Sequence, residues 1–141
     1  MLPDRELAAL IERSQGDGAV VSFTGLARPR SSEGGILDTL ILEHHPILTL
    51  RSLEQIARDA AMRFDAGNIH VVHRCGAVPV GEPIVFAGAS SAHRRAAFEA
   101  ADYLMDKLKT EAVFWKREVG RSGSQWIEPT ASDYADRKRW G

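Results

Sequence analysis

The stretch Ser90–Glu118, SSAHRRAAFEAADYLMDKLKTEAVFWKRE, decides how the rest of the chain is read. It reads as one long helix followed by a short aromatic-basic strand. Ser90 and Ser91 are N-cap candidates, and Phe98, Ala101, Met105 and Leu108 recur at helical spacing. His93 and Arg94 then fall in the first turn, where the helix macrodipole disfavours cations. An imidazole, a guanidinium and free backbone N–H groups at one helix start suit a phosphate. At the far end Lys109 closes the helix. If Val113–Glu118 is a strand, Lys116 and Glu118 share one face, and Trp115 and Arg117 share the other. Two lysines and a carboxylate then converge near one helix end, an acid–base or anion-binding cluster.

Outward from this stretch, Asp4 to Ser14 reads as a helix with Leu7, Leu10 and Ile11 on one side. Gly18 to Gly25 is β-rich and leads into Leu26-Ala27-Arg28, and SSEGG (Ser31 to Gly35) is a flexible loop. Ile36 to Glu43 is apolar enough for a strand buried on nearly both faces. Thr49 is an N-cap for a helix over Leu50 to Phe64, with Leu53, Ile56, Ala57, Ala60 and Phe64 on its apolar face. Ile69 to Arg74 and Ile84 to Ala89 are strands joined by a Gly/Pro-rich connection. Gly120 to Gly123 turns the aromatic-basic strand back into Gln125 to Glu128, and Ser132 to Gly141 is polar, a loose tail or a frayed helix. The order α, β, β, α, β, β, α, β, β predicts one α+β domain over residues 1–141. It would have three helices and a mainly antiparallel sheet.

The chain has 141 residues, enough for a hydrophobic core without staples, and a net charge of −1. That charge leaves no electrostatic footprint for non-specific nucleic-acid binding. No apolar run approaches a membrane span, and MLPDRELAALIERSQ has no apolar signal core. The lone Cys75 excludes an internal disulfide, suits a reducing cytoplasm, and reads as a buried strand thiol. His44 and His45 are adjacent and His70 and His73 three apart, spacings that point each pair to opposite strand faces. Neither a metal site nor a cofactor is expected.

An ordered set of short pieces resembles one known family, the large catalytic subunit of molybdopterin synthase. The set comprises Val21-Ser22-Phe23-Thr24-Gly25 with Arg28, Leu42-Glu43-His44 with Pro46, His73-Arg74 with Gly76, and Gly81-Glu82. It continues through Ser90 to Arg94, Ala97 to Ala100, Leu108-Lys109 and Phe114 to Glu118, and spans about Gly18 to Glu128. The family usually has tyrosine where His45 stands and often lysine where Leu26 stands.

The resemblance implies an α/β-hammerhead-like fold and sulfur transfer. A small ubiquitin-like subunit would thread its C-terminal Gly-Gly thiocarboxylate into this chain, which adds sulfur twice to cyclic pyranopterin monophosphate to make a dithiolene. It also implies a homodimer within a heterotetramer. By the same resemblance Leu26, Ala27, Arg28, His93, Arg94, Arg117 and Glu118 bind substrate, and Phe23 and Met105 line the pocket. Lys109 is the leading acid–base or covalent candidate and Lys116 its partner in charge stabilisation, with Glu118 orienting a lysine.

Bland readings stand beside these: Lys109 as a cation at a helix C-terminus, Lys116 as a solvated strand lysine, and Phe98 and Met105 as core. His93 and Lys109 lie sixteen residues apart, about 24 Å along a helix. A site shared across a homodimer would bring them together; separate anion sites are the alternative. Two other function classes remain. Gly88-Ala89-Ser90-Ser91-Ala92 imitates a nucleophile elbow, which would make Ser90 a hydrolase serine. The other is a non-catalytic module that docks a ubiquitin-like tail.

Overall fold

A computed structural model describes residues 1–29, 35–121 and 123–141. The element order is α1 (Pro3–Arg13), β1 (Ala19–Leu26), β2 (Leu37–His44), α2 (Leu48–Phe64), β3 (Asn68–His73) and β4 (Gly76–Pro79). β5 (Pro83–Ser91), α3 (Arg94–Glu111), β6 (Phe114–Gly120), β7 (Gly123–Ile127) and α4 (Ala131–Lys138) follow. The strands form two antiparallel sheets, one ordered β1-β5-β3 and the other β4-β2-β6-β7. The α+β class holds, with four helices among the described residues rather than three.

The main core lies between the first sheet and the pair α2 and α3. Ile56 and Ala60 from α2, Val85 and Ala87 from β5, and Tyr103, Leu104 and Leu108 from α3 are buried together. Each large side chain withdrawn from water here contributes about 1.5–3 kcal/mol. The buried stripe of α3 starts with Ala97, Ala100 and Ala101, small residues that let the helix lie close on the sheet, while Phe98 points outward and is 60 % exposed. Phe98 is therefore not part of the core stripe, because the face that meets the strands is the one carrying Ala97, Ala100 and Ala101. On the opposite face of β5, a side chain at Gly88 would collide with Leu10 of α1.

Four local expectations are corrected. Ser90 and Ser91 do not cap α3; β5 runs through both, with Ser90 paired to Val20 and Asn68, and His93 takes the N-cap position. Thr49 lies inside α2, where its hydroxyl accepts from the His45 N–H and donates to the Val113 carbonyl. The start of α2 is capped instead by His45, whose Nδ1 accepts from the N–H groups of Ile47 and Leu48 at 3.1 and 3.0 Å. The strand expected to be buried on nearly both faces is β2, yet Asp38, Glu43 and His44 are exposed and Leu42 alone is fully buried. Finally, the Gly/Pro-rich connection contains β4, which pairs with β2 and places Val78 in a second cluster with Ala27 and Leu42.

The loop expected over 31–35 lies, apart from Gly35, outside the described residues. The polar tail is ordered as α4, started by a capping box in which the Thr130 hydroxyl accepts from the Asp133 N–H and the Asp133 carboxylate accepts from the Thr130 N–H. Its end is latched to α3. Arg139 and the Trp140 indole N–H both donate to the buried Asp106 carboxylate, at 2.6 and 2.7 Å. The Trp140 ring meets Phe64 and Tyr103 edge-on.

Candidate active site

β6 alternates as expected. Lys116 and Glu118 turn inward, half-buried and buried, while Trp115 is exposed and Arg117 lies 5.7 Å from the Trp126 ring on the outer face. Leu42 is the cross-strand neighbour of Lys116 and packs with Ala27, so the end of β1 is rooted on the lysine side of the second sheet. Lys109 comes from the last turn of α3, and Asp133 from the first turn of α4, with Lys109 Nζ and Asp133 Oδ1 3.7 Å apart.

The three groups tune one another. Burial first, and the Lys109 ammonium second, lower the Lys116 pKa; the Asp133 carboxylate opposes both. Burial would raise the Asp133 pKa, but hydrogen bonding from Thr130 and the two lysine charges outweigh it, so the carboxylate stays ionised to lower pH than usual. A lysine amine that gives up its proton more readily than normal, beside a second cation, can move protons and hold developing negative charge.

Asp133 is the residue that sequence reading missed. In the sequence it lies in the polar tail, and its local signal is the Thr130-to-Asp133 capping spacing, which points to a helix start and not to a partner for Lys109. Glu118, expected to orient a lysine, forms no ion pair with Lys109 or Lys116 among the described residues. Arg117 is turned away from the lysines.

His93 and Arg94 sit at the other end of α3, exposed, beside Gly18, Ala92 and Arg95 in an open groove that continues past Phe98, Glu99 and Asp102. One chain does not bring them to Lys109. Arg28 is exposed, Leu26 is 54 % and Phe23 45 % exposed on β1, and Ala27 is buried. Met105 packs against the main core.

Two other expectations are overturned. Cys75 is exposed, not buried, at the turn between β3 and β4; partial burial still pushes its thiol pKa up, away from thiolate. Ser90 is fully buried, with its hydroxyl donating to Asp17 at 2.8 Å and accepting from Asn68 at 3.3 Å. A serine closed off from solvent and engaged in that way is structural, and the hydrolase reading falls with it.

Comparison with known proteins places the chain in a family. The model of a family described as "MoaE protein" matches residues 2–111. A molybdopterin synthase catalytic subunit from Caulobacter vibrioides is 50 % identical over 123 residues, 87 % of this chain and 80 % of that protein. One from Pseudomonas aeruginosa is 44 % identical over 138 residues, 98 % of this chain and 91 % of that protein. The solved structure of a molybdopterin biosynthesis MoaE protein from Burkholderia ambifaria superposes with a TM-score of 0.84 at 35 % identity, covering 100 % of this chain and 92 % of that one. With a family model matched over most of its length and full-length relatives close to half identical, the chain belongs to the MoaE protein family.

Proposed function

We propose that this chain is the catalytic subunit of a molybdopterin synthase. It is a sulfurtransferase that takes sulfur from the C-terminal Gly-Gly thiocarboxylate of a small ubiquitin-like subunit and adds it to cyclic pyranopterin monophosphate. The observation that carries the mechanism is the meeting of Lys109, Lys116 and Asp133. A thiocarboxylate and a phosphorylated pterin are both anions, and two lysines at one helix end attract and orient them. Lys109, about half exposed, is placed to meet substrate first. Lys116, with its lowered pKa, moves a proton to or from ring oxygens as the C–S bond forms. The tail sulfur attacks a pterin carbon to give a thioester between tail and pterin. Water then cleaves the acyl C–S bond, so the tail departs as an ordinary carboxylate, the sulfur stays on the pterin, and two transfers complete the dithiolene.

Arg28, His93 and Arg94 are the phosphate clamp in this reading, with Leu26, Ala27, Phe23, Met105 and Glu118 shaping the pocket, while Arg117, on the outer face of β6 against Trp126, is left out of it. Because α3 holds His93 and Lys109 about 24 Å apart, the clamp is supplied by a second copy of the chain, giving a homodimer inside a heterotetramer. The α/β-hammerhead arrangement, a single domain over 1–141 and a cytoplasmic location belong to the same proposal. Among the described residues no helix is long and apolar enough to cross a membrane.

The test is reconstitution. The chain, a thiocarboxylated small subunit and cyclic pyranopterin monophosphate are mixed, and molybdopterin is measured. Lys109→Ala is expected to lower the rate about 10²–10⁴-fold with unchanged circular dichroism. Full activity in that variant sinks the assignment.

A further inference from the structure

Phe114 and Lys116 are two residues apart on β6 and so project from one face of the strand, roughly 7 Å apart. His73, the last residue of β3, lies flat on Phe114, with ring centroids 4.0 Å apart and planes 25° from parallel. Its Nδ1 is 2.9 Å from the Arg74 carbonyl oxygen. A carbonyl only accepts, so Nδ1 carries the proton and the ring's orientation is fixed. Arg74 is itself anchored: its guanidinium donates to Glu82 at 3.0 Å and to the Pro83 carbonyl at 3.1 Å, and its N–H donates to the Ile84 carbonyl. The ring is thus held from below by Phe114 and from the side by a rigid β3–β5 connection.

We propose that the stacked His73–Phe114 pair is a positioning wall for Lys116, two flat uncharged rings that keep water from the lysine amine. Among the described residues, the charged and titratable groups around that amine are Lys109 from α3, Asp133 from α4, Glu118 on β6 itself and His73 from β3. Only one of these can become a third cation, and the imidazole's surroundings prevent it. Burial chiefly, and the Lys116 ammonium in addition, hold the His73 pKa down to about 4 against the pull of the Arg74 carbonyl. At neutral pH the wall is therefore uncharged. That matters because burial is also the largest cause of the lowered Lys116 pKa. So weak a base does not take a proton from a lysine, and His73 acts through Lys116 rather than on the substrate.

This inference rests on the sulfurtransferase reading for its effect on turnover, but not for its effect on the lysine. The experiment is an NMR titration of the Lys116 ε-methylene in the full chain carrying ¹³C-labelled lysine, run beside the sulfur-transfer assay. His73→Phe keeps a flat apolar ring and is expected to leave the Lys116 midpoint lowered. His73→Ala and Phe114→Leu admit water and are expected to raise it toward that of an ordinary lysine, while His73→Ala lowers kcat roughly tenfold or more with KM nearly unchanged. A midpoint raised as much by His73→Phe as by His73→Ala would overturn the wall in favour of a polar role. A midpoint moved by neither His73→Ala nor Phe114→Leu would overturn it outright. The expected titrations in a wild-type chain that transfers no sulfur would keep the wall and discard the functional reading.

Discussion

Lys109 Nζ and Asp133 Oδ1 stand 3.7 Å apart, and through them the last turn of α3 meets the first turn of α4. The pair is partly exposed, so its contribution to stability is under about 1 kcal/mol. Its consequence is electrostatic: among the described residues Asp133 is the carboxylate that raises the Lys116 pKa, against burial and Lys109.

Removing that carboxylate should shift the lysine. In Asp133→Asn the Lys116 titration is expected to move to lower pH than in the wild type, because the two causes that lower it then act unopposed. If Lys116 works as a base, the acidic limb of the pH–rate profile moves the same way. An unchanged profile with a shifted lysine would assign the limb to another group.

Lys116 itself is held at a cost. Its folded-state pKa lies below the unfolded value, so between the two the unfolded chain binds more protons and stability rises with pH. At neutral pH the lysine therefore destabilises the fold. Lys116→Met is expected to abolish sulfur transfer and raise Tm by a few degrees, a gain that fades toward alkaline pH. A lower Tm at pH 7 would show that the lysine's contacts outweigh its burial.

His73 sets a second pH dependence with the same sign. Its pKa falls from 6.5 to about 4 on folding. The stability tied to the neutral ring is fully present above pH 6.5 and is lost between 6.5 and 4, on the order of 3 kcal/mol in all. Urea unfolding followed from pH 7 to 4 should show this loss in the wild type and a flatter curve in His73→Phe.

These relationships were unequally legible in the sequence. Lys109 and Lys116 are joined by a helix end and a strand of alternating burial, both short-range patterns, so their approach follows from spacing. Asp133 reaches them only because Arg139 and Trp140 dock on Asp106, contacts 33 and 34 residues apart that no local period encodes. Ser90 and Ser91 looked like caps because strand and cap both accept small polar residues; the deciding contact is with Asp17, seventy-three residues away. The His73–Phe114 stack joins strands of two different sheets and leaves no trace in either strand's pattern.

Ser90 offers a check on the discarded hydrolase reading. Ser90→Ala removes the donor to the Asp17 carboxylate and is expected to cost about 1–3 kcal/mol in urea unfolding while sulfur transfer persists. Loss of activity with stability intact would reopen a chemical role for the hydroxyl.

The exposed Cys75 allows a direct test of where the sulfur travels. Its thiol resists ionisation and the proposed sulfur arrives on the partner's tail, so no persulfide on this chain is needed. Cys75→Ser is expected to retain full activity, and iodoacetamide to label the wild type without inactivating it. Inactivation of the wild type but not of Cys75→Ser would mean only that the bulky label blocks the site. Loss of activity in Cys75→Ser would make the cysteine a carrier.

The length of α3 makes the dimer testable without a structure of it. If His93 of one copy completes the Lys109 site of the other, His93→Ala and Lys109→Ala chains are each inactive alone, yet a mixed dimer contains one site with both residues intact. Random mixing of equal amounts gives half mixed dimers with one good site in two, so about one quarter of wild-type activity should return. The mixture is made by co-expression with two different tags, and purifying the mixed species through both raises the expected figure to about one half, one good site in two. If the clamp and the lysines serve one site within each chain, every site in the mixture lacks one of them and nothing returns. If His93 serves a separate anion, the His93→Ala chain alone keeps its activity, and the shared site is ruled out before any mixing.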